Sequence, residues 1–261
     1  MSTGFDRSVF MDTSEISIKI GNLLYRRFFP LYRRLYPAFK RRQDKTEIAW
    51  MRRVVRPGDH ILDIGANIGF YTSLLSEWVG STGHVHAFEP EPTNFKHLSA
   101  SMDGRKNVTL VPKAVSDRSE DLLIYTSPNL NVDHRTYKIT NYEMAIPVQA
   151  VSVDDYVGGR FPVDFIKMDI QGYELSALRG MEKTITANPA IIIFSEFWPH
   201  GLRQSGGSAC RAYDYIRSLN LQVWLPERAK LRLVTRSVMM QFRDSESDYY
   251  NVILSKQPMA T

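Results

Sequence analysis

Residues 60–72 of the chain read HILDIGANIGFYT, and they predict a strand, a glycine-containing turn and a helix. The apolar run from Ile61 to Ile64 predicts a buried strand, and the residues from Phe70 onwards predict the start of a helix. The turn between them carries Gly65 and Gly69, and glycine lets the backbone adopt positive φ and lets a ligand approach closely. Such a strand, turn and helix present helix N-terminal amides at the carboxyl edge of a parallel sheet, where open α/β sheets bind ligands.

The spacing of these glycines argues against a dinucleotide site. A nicotinamide dehydrogenase would have Gly-x-Gly-x-x-Gly, which leaves room for a pyrophosphate. Here Ala66 and Asn67 fill the middle of the turn, and Asp63 precedes its first glycine. A carboxylate at that position suits a ligand with an ammonium group. The stretch resembles the first motif of class I S-adenosylmethionine-dependent methyltransferases, and the alternative is an ordinary βα turn of another α/β enzyme.

Further strands follow at the spacing of a doubly wound α/β sheet. The second strand, His84 to Phe88, ends in Glu89-Pro90, and an acid at this distance from the glycine turn accepts hydrogen bonds from ribose hydroxyls in nucleotide-binding folds. A third strand is predicted over residues 108–115, with Ser116-Asp117 as its polar exit. We predict a mostly parallel, Rossmann-like sheet of seven strands with helices on both faces. The candidates for its remaining strands are the apolar segments at residues 163–168, 190–194, 222–225, 231–234 and 251–254.

The segment DIQGYE at residues 169–174, followed by LRG at residues 178–180, indicates one family among the class I methyltransferases. Together with the glycine turn, FEP at 88–90 and AVSD at 114–117, it is similar to the FkbM family of methyltransferases over residues 55–200. One departure is Gln171, which stands where the family usually has Glu and cannot act as a base. The resemblance implies S-adenosylmethionine as cofactor and O-methylation of a hydroxyl, with sugars or polyketide alcohols as acceptors.

The same resemblance supplies the candidate cofactor residues. Those expected to bind S-adenosylmethionine are Asp63, Gly65, Ala66, Asn67, Gly69, Tyr71, Thr72, Glu89, Pro90, Ser116 and Asp117. Residues 198–200, Trp-Pro-His, and a basic N-terminal region are similar to those of family members that methylate deoxysugars on glycolipids and lipooligosaccharides.

The acceptor side needs a group that removes the hydroxyl proton, because an alcohol is a poor nucleophile while protonated. Candidates at the carboxyl edge of the sheet are Asp169, Glu174, Glu196 and His200. Asp169 and Glu196 end neighbouring strands, so they could share a divalent ion such as Mg²⁺, or one could be the base with a pKa raised by the other. His200 is an alternative base unless it only bonds a backbone carbonyl, and Glu174 could simply cap its helix.

Length and composition limit the remaining choices. With 261 residues, 43% of them hydrophobic, we expect one catalytic domain over residues 45–261 and an extension over residues 1–44. The single cysteine, Cys210, excludes a disulfide framework and fits a reducing compartment. The sequence starts without an apolar leader and has no run long enough to cross a bilayer, so a cytoplasmic protein is expected.

The extension is basic and aromatic, with no acid between Ile16 and Gln43. Pro30 and Pro37 would kink or divide a helix here, and that helix would have one apolar face made of Leu24, Phe28, Leu31, Leu35 and Phe39. Residues 16–42 could contact an anionic membrane, peripherally at the inner membrane. Alternatively they pack on the catalytic domain with solvated arginines and a hidden apolar face. A nucleic-acid patch is a third option, but no nucleic-acid-binding module is recognisable, so no nucleic acid is expected.

Three functions follow from these observations. The first is O-methylation of a sugar hydroxyl in a glycolipid, lipooligosaccharide or polysaccharide, with a glycan or small-molecule acceptor. The second is O-methylation of a polyketide or another small-molecule alcohol. The third is a non-catalytic domain of the same fold, tethered to a membrane or complex; the intact set of Asp63, Gly65, Gly69 and Glu89 argues against it.

Overall fold

A computed structural model describes residues 21, 23–25, 27–126, 134–135, 142, 144–227 and 230–259. Its helices are α1 (Phe29–Gln43), α2 (Lys45–Val54), α3 (Phe70–Val79), α4 (Pro92–Ser101), α5 (Val153–Val157), α6 (Glu174–Arg179), α7 (Glu182–Ala187), α8 (Pro199–Gln204), α9 (Ala209–Ser218) and α10 (Arg236–Met239). Its strands are β1 (His60–Ile64), β2 (His84–Phe88), β3 (Val108–Val111), β4 (Ala114–Val115), β5 (Glu120–Thr126), β6 (His134–Arg135), β7 (Ala145–Val151), β8 (Phe165–Met168), β9 (Ile192–Phe197), β10 (Gln222–Glu227), β11 (Lys230–Leu233) and β12 (Tyr250–Ser255).

The larger of two sheets has the strand order β11-β10-β12-β9-β8-β1-β2-β3. The neighbouring strands β3, β2, β1, β8 and β9 are parallel to one another, and β12 runs antiparallel between β9 and β10. The predicted doubly wound, mostly parallel sheet is therefore confirmed, with antiparallel β11 as an additional edge strand beside β10.

The predicted third strand is divided. The prediction of one strand over residues 108–115 is wrong, because the N–H of Lys113 bonds back to the carbonyl of Val111 and turns the chain out of the larger sheet. The next residues form β4, which pairs with β7 in a smaller sheet of order β4-β7-β5-β6.

Apolar side chains cover both faces of the central strands. In β1, Leu62 and Ile64 belong to one core cluster, and Ile61 belongs to another on the opposite face. Ile166 and Phe165 of β8 divide in the same way. Strands buried on both faces read as continuous apolar runs rather than alternating ones, which explains why the sequence identified them.

The described part of the N-terminal extension is helical. The helical conformation is interrupted at Phe28, the residue before α1. Pro30 lies in the first turn of α1, and α1 continues through Pro37. The residues predicted to form the apolar face are largely exposed: Phe28 by 59%, Leu31 by 48%, Leu35 by 52% and Phe39 by 59%. The helix contacts the domain through aromatic side chains instead. Among the described helices, none is both long and apolar enough to cross a bilayer.

Candidate active site

The turn after β1 depends on its glycines. Gly65 has φ +81°, and a Cβ on it would lie 1.9 Å from the carbonyl oxygen of Asp169, which follows β8. Gly69 has φ +91° and precedes α3, where a Cβ would lie 2.8 Å from Leu98. Asn67 also has positive φ, 51°. The turn therefore packs directly against the exit of β8 and brings the backbone of both segments to one edge of the sheet.

Asp63 is fully buried beneath this turn. Its Oδ2 accepts a 2.6 Å hydrogen bond from the hydroxyl of Thr72, so Thr72 orients the carboxylate. Its Oδ1 has no hydrogen-bond partner among the described residues, although the Lys167 ammonium lies 3.8 Å away. Burial raises the pKa of Asp63, and Lys167 opposes that rise. A buried acceptor without a donor fits a ligand that carries an ammonium or hydroxyl group.

Glu89 closes β2 on the other side of the turn. Its Oε2 accepts the N–H of Asn67 at 2.8 Å, and its Oε1 accepts the N–H of Glu91 at 2.9 Å. Burial raises the pKa of Glu89 to about 7, and the two backbone amides oppose this shift. Pro90 follows directly and is half-buried. The structure thus brings Asp63, the glycine turn and Glu89 together, as S-adenosylmethionine binding would require.

Ser116 and Asp117 lie at the exit of β4. The Ser116 hydroxyl donates to Glu120 at 2.9 Å and lies 3.3 Å from the hydroxyl of Tyr173. A Cβ on Gly180 would lie 2.0 Å from the Ser116 carbonyl oxygen. This close approach explains why the Leu-Arg-Gly motif ends in glycine and shows that the motif supports the Ser116 loop.

A side-chain amide joins the two carboxylates of the acceptor side. Gln171 Nε2 donates to Asp169 Oδ1 and to Glu196 Oε2, both at 3.0 Å. Gln171 has φ +55°, an uncommon conformation for a non-glycine residue. Burial raises the pKa of Glu196 well above its ordinary value, and the charges of Asp169 and Glu174 raise it further. The expectation that Asp169 and Glu196 lie side by side is met.

The same arrangement does not fit a shared Mg²⁺ ion. The Gln171 amide already stands between the two carboxylates, and the Lys167 ammonium lies 3.7 Å from Asp169. Across the described residues, His, Cys, Asp and Glu side chains form no group of three or more that could hold a metal. An amide donor and an ammonium repel a cation, so the donor set around Asp169 and Glu196 is suited to hydrogen bonding.

Two other candidates have different surroundings. Glu174 accepts the N–H groups of Ile170 and Gly172, at 3.3 and 3.2 Å, so it holds the loop before its own helix. Burial raises its pKa to about 7. His200 Nδ1 lies 3.1 Å from the Arg203 guanidinium and 3.5 Å from Asp244. In the described part of the chain no hydrogen bond connects His200 with Asp169 or Glu196, so His200 lies outside the hydrogen-bonded carboxylate pair.

Two residues at this edge, Lys167 and Asp44, were not predicted from the sequence. Lys167 lies on buried β8, with its ammonium 3.2 Å from the Gly65 carbonyl and above the ring of Tyr71 at 5.1 Å. A lysine within the apolar run FIKM was the signal for it. The hydroxyl of Tyr71 donates to Asp44, between α1 and α2, so Tyr71 connects the extension to the site. No local pattern marked Asp44.

The doubly wound sheet, with an acid before the glycine turn and another after β2, defines a class I, Rossmann-like methyltransferase architecture. A family model described as the methyltransferase FkbM domain matches residues 63–220, more than half of the chain. The chain belongs to the FkbM methyltransferase family.

Individual relatives agree with this membership. Hexuronic acid methyltransferase AglP of Haloferax volcanii is 30% identical over 139 residues, which cover 52% of this chain and 55% of AglP. Protein-L-isoaspartate O-methyltransferase of Methanosarcina mazei is 41% identical over 56 residues, covering 21% of this chain and 23% of that protein. The chain therefore spans about half the length of the first relative and less than a quarter of the second.

A solved structure supports the fold alone. The crystal structure of a Clostridium thermocellum protein assigned as an rRNA methylase has a TM-score of 0.51 to this chain at 12% sequence identity. The match covers 82% of this chain and 95% of that protein.

Proposed function

We propose that this protein transfers the methyl group of S-adenosylmethionine to a hydroxyl group of a sugar, in a glycolipid, lipooligosaccharide or polysaccharide. The observation that carries the proposal is the pair of Asp169 and Glu196, which accept hydrogen bonds from the same Gln171 amide. The pair lies at the edge of the sheet that also presents the glycine turn. A hydroxyl needs an acceptor for its proton, and this pair offers two carboxylates next to the glycine turn, against which the Asp169 backbone packs.

The cofactor residues act by position and charge. Glu89 would accept hydrogen bonds from the ribose hydroxyls, and the free Oδ1 of Asp63 would accept from a donor of the ligand. S-adenosylmethionine supplies an activated methyl group when bound. The protein must then hold the acceptor oxygen in line with that group and exclude water.

Glu196 is the proposed base. It is half-buried and its pKa is raised, so its ionised form binds a proton readily at neutral pH. S-adenosylmethionine would supply the methyl group and leave as S-adenosylhomocysteine, and Glu196 would take up the hydroxyl proton as the acceptor oxygen is methylated. Asp169, whose side chain is 38% exposed, would accept a hydrogen bond from a neighbouring hydroxyl. Two adjacent carboxylates suit two adjacent hydroxyls, which a sugar ring offers.

A sugar acceptor is also favoured by the likeness to AglP, a hexuronic acid methyltransferase. The experiment uses the glycolipid and polysaccharide fractions of a deletion strain, which would hold the unmethylated acceptor. The purified protein with isotope-labelled S-adenosylmethionine should transfer label to a sugar. Glu196→Gln should lower the rate about a hundredfold or more, the usual contribution of a general base, without changing the affinity for S-adenosylhomocysteine.

The matched control is Glu246→Gln, an exposed carboxylate at the same end of the molecule, which should retain full activity. If the unaltered protein labels no sugar in either fraction, the proposed function is wrong. If Glu196→Gln retains full activity while Asp169→Asn loses it, Asp169 is the base instead.

We further propose that the extension contacts an anionic membrane, which would bring the protein to a lipid-linked acceptor. The apolar stripe, defined here as Phe28, Leu31, Leu35 and Phe39, is exposed and has arginines beside it: Arg27, Arg33, Arg34, Arg41 and Arg42 are exposed too. Each basic side chain near an anionic surface contributes about 1 kcal/mol, and exposed apolar side chains add to that when they enter the interface.

Point substitutions on the apolar stripe test this proposal. The triple variant Leu31→Ser, Leu35→Ser, Phe39→Ser should lose flotation with vesicles that contain phosphatidylglycerol. A control triple removes equally exposed apolar side chains elsewhere, namely Leu123→Ser, Leu233→Ser and Met240→Ser, and should still float. Equal flotation of both variants, or none by the unaltered protein, would contradict the membrane contact.

A further inference from the structure

The helix that carries the apolar stripe also reaches the acceptor side of the site. Lys40, near the end of α1, has its ammonium 2.7 Å from Asp44 Oδ2. Asp44 is buried and accepts a hydrogen bond from the hydroxyl of Tyr71. The Tyr71 ring in turn lies beneath the Lys167 ammonium, which is 3.7 Å from Asp169. Successive contacts therefore connect α1 to the carboxylates.

Tyr36 lies one helical turn before Lys40 on the same side of α1. Its ring meets the ring of Phe70 edge-on, with centroids 6.1 Å apart, and Phe70 is the first residue after the glycine turn. Burial raises the pKa of Tyr36, and the charges of Asp44 and Asp169 raise it further. Tyr36 thus packs against the helix after the glycine turn and is near enough to Asp169 for that charge to act on its hydroxyl, although it precedes both by more than thirty positions in the sequence.

Lys40 faces the same space. The positive charges of Lys167 and, less strongly, of Lys40 lower the pKa of Glu196, opposing burial and the neighbouring carboxylates, and the Lys40 charge also lowers the pKa of Tyr249. The Lys40 side chain is 26% exposed, so it borders an opening rather than filling the core. Tyr249, the residue before β12, is 54% exposed, which leaves a rim lined by aromatic and charged groups.

We propose that the inward side of α1 forms one wall of the acceptor site, in which Tyr36 contacts the acceptor ring and Lys40 is a positioning residue that stabilises ionised Glu196. This deepens the proposed function and rests on it. An aromatic face beside carboxylates suits a ring that has an apolar face and hydroxyl groups at its edge. Lys40 acts only through its positive charge, and the hydroxyl proton still moves to Glu196.

Truncation of the extension would not separate the proposed membrane contact from the proposed wall of the acceptor site. A chain that begins at Gln43 lacks the apolar stripe, Tyr36 and Lys40 together, so its loss of activity would not identify a membrane role. Substitutions restricted to one side of α1 keep the two roles separate.

The test compares Lys40→Gln with Lys45→Gln. Lys45 is exposed at the start of α2, so its variant loses the same charge away from the site. With the glycolipid fraction of a deletion strain as acceptor, Lys40→Gln should displace the acid limb of the kcat/KM profile to higher pH, and Lys45→Gln should leave it in place. Tyr36→Ala should raise KM for the acceptor about tenfold or more at unchanged affinity for S-adenosylhomocysteine, a loss that Tyr36→Phe largely avoids.

A second measurement needs no acceptor. In protein labelled with ¹³C at the glutamate carboxyls, the Glu196 resonance should titrate at least about half a pH unit higher in Lys40→Gln than in Lys45→Gln. If the protein methylates no sugar but this displacement occurs, the proposed function fails and the placement of Lys40 stands. If the two variants titrate alike, or Tyr36→Ala leaves KM unchanged, the wall formed by α1 is refuted.

Discussion

Acid should weaken nucleoside binding through Glu89. This carboxyl has a pKa of about 7 in the free protein, because burial disfavours its charge. Ribose hydroxyls donate to the ionised form, so binding requires loss of the proton. From about pH 8 to about pH 6 the ionised fraction falls roughly tenfold, and the affinity should fall by the same factor, about 1.4 kcal/mol.

Calorimetry with 5′-methylthioadenosine measures this directly, because that ligand carries the ribose without a titrating amino acid. Heats recorded in two buffers of different ionisation enthalpy should show about one proton released per ligand near pH 6. Glu89→Gln should bind about 1–3 kcal/mol more weakly at high pH and lose the pH dependence.

Glu174→Gln is the matched control. Its carboxyl also has a pKa of about 7, but it accepts from its own loop, so the variant should keep the pH dependence. Binding by the unaltered protein that is equally strong at both pH values would refute the ribose contact. So would a pH dependence that persists in Glu89→Gln.

Three further predictions concern stability in urea. Gly180→Ala should destabilise the fold by about 2 kcal/mol, because its Cβ would collide with the Ser116 carbonyl; an unchanged midpoint would contradict that approach. Lys167→Met should cost about 3 kcal/mol by leaving the Asp63 carboxylate buried without its cation, and a loss below about 1 kcal/mol would contradict that pairing. Burial lowers the pKa of His86 to about 4, so its contribution is present above pH 6.5 and lost as the pH falls towards 4; His86→Gln should therefore lose about 1 kcal/mol less between pH 7 and pH 5, and parallel curves would contradict this.

Local signals were sufficient for the sheet and the cofactor edge. Gly65 and Gly69 occupy conformations and close contacts that only glycine tolerates, so they mark the turn in any sequence with this fold. Asp63 and Glu89 follow strands whose carboxyl ends meet at one edge of the sheet, so their proximity follows from parallel pairing. The end of β3 at Val111 depended on a tight turn that the apolar pattern conceals.

The wall that α1 is proposed to form beside the acceptor site could not be predicted from local sequence signals. Tyr36 and Asp44 reach Phe70 and Tyr71 through tertiary packing, and nothing in the spacing of these residues predicts it. The helical pattern of the extension was visible, but the pattern left open whether its apolar face packs on the domain or contacts a membrane. The aromatic side contacts the domain, and the apolar stripe remains exposed.

Mass spectrometry of the methylated product tests whether the protein methylates a sugar hydroxyl with Glu196 as the base. The purified protein is incubated with S-adenosylmethionine carrying a deuterated methyl group and with the glycolipid fraction of a deletion strain, and the product is then treated with mild alkali. A methyl ether on a sugar hydroxyl survives alkali, whereas a methyl ester on a sugar acid is removed. We predict an alkali-stable methyl group on a sugar, formed by the unaltered protein and by Glu246→Gln but not by Glu196→Gln. An alkali-labile methyl group, or label on no sugar at all, would contradict hydroxyl methylation with Glu196 as the base.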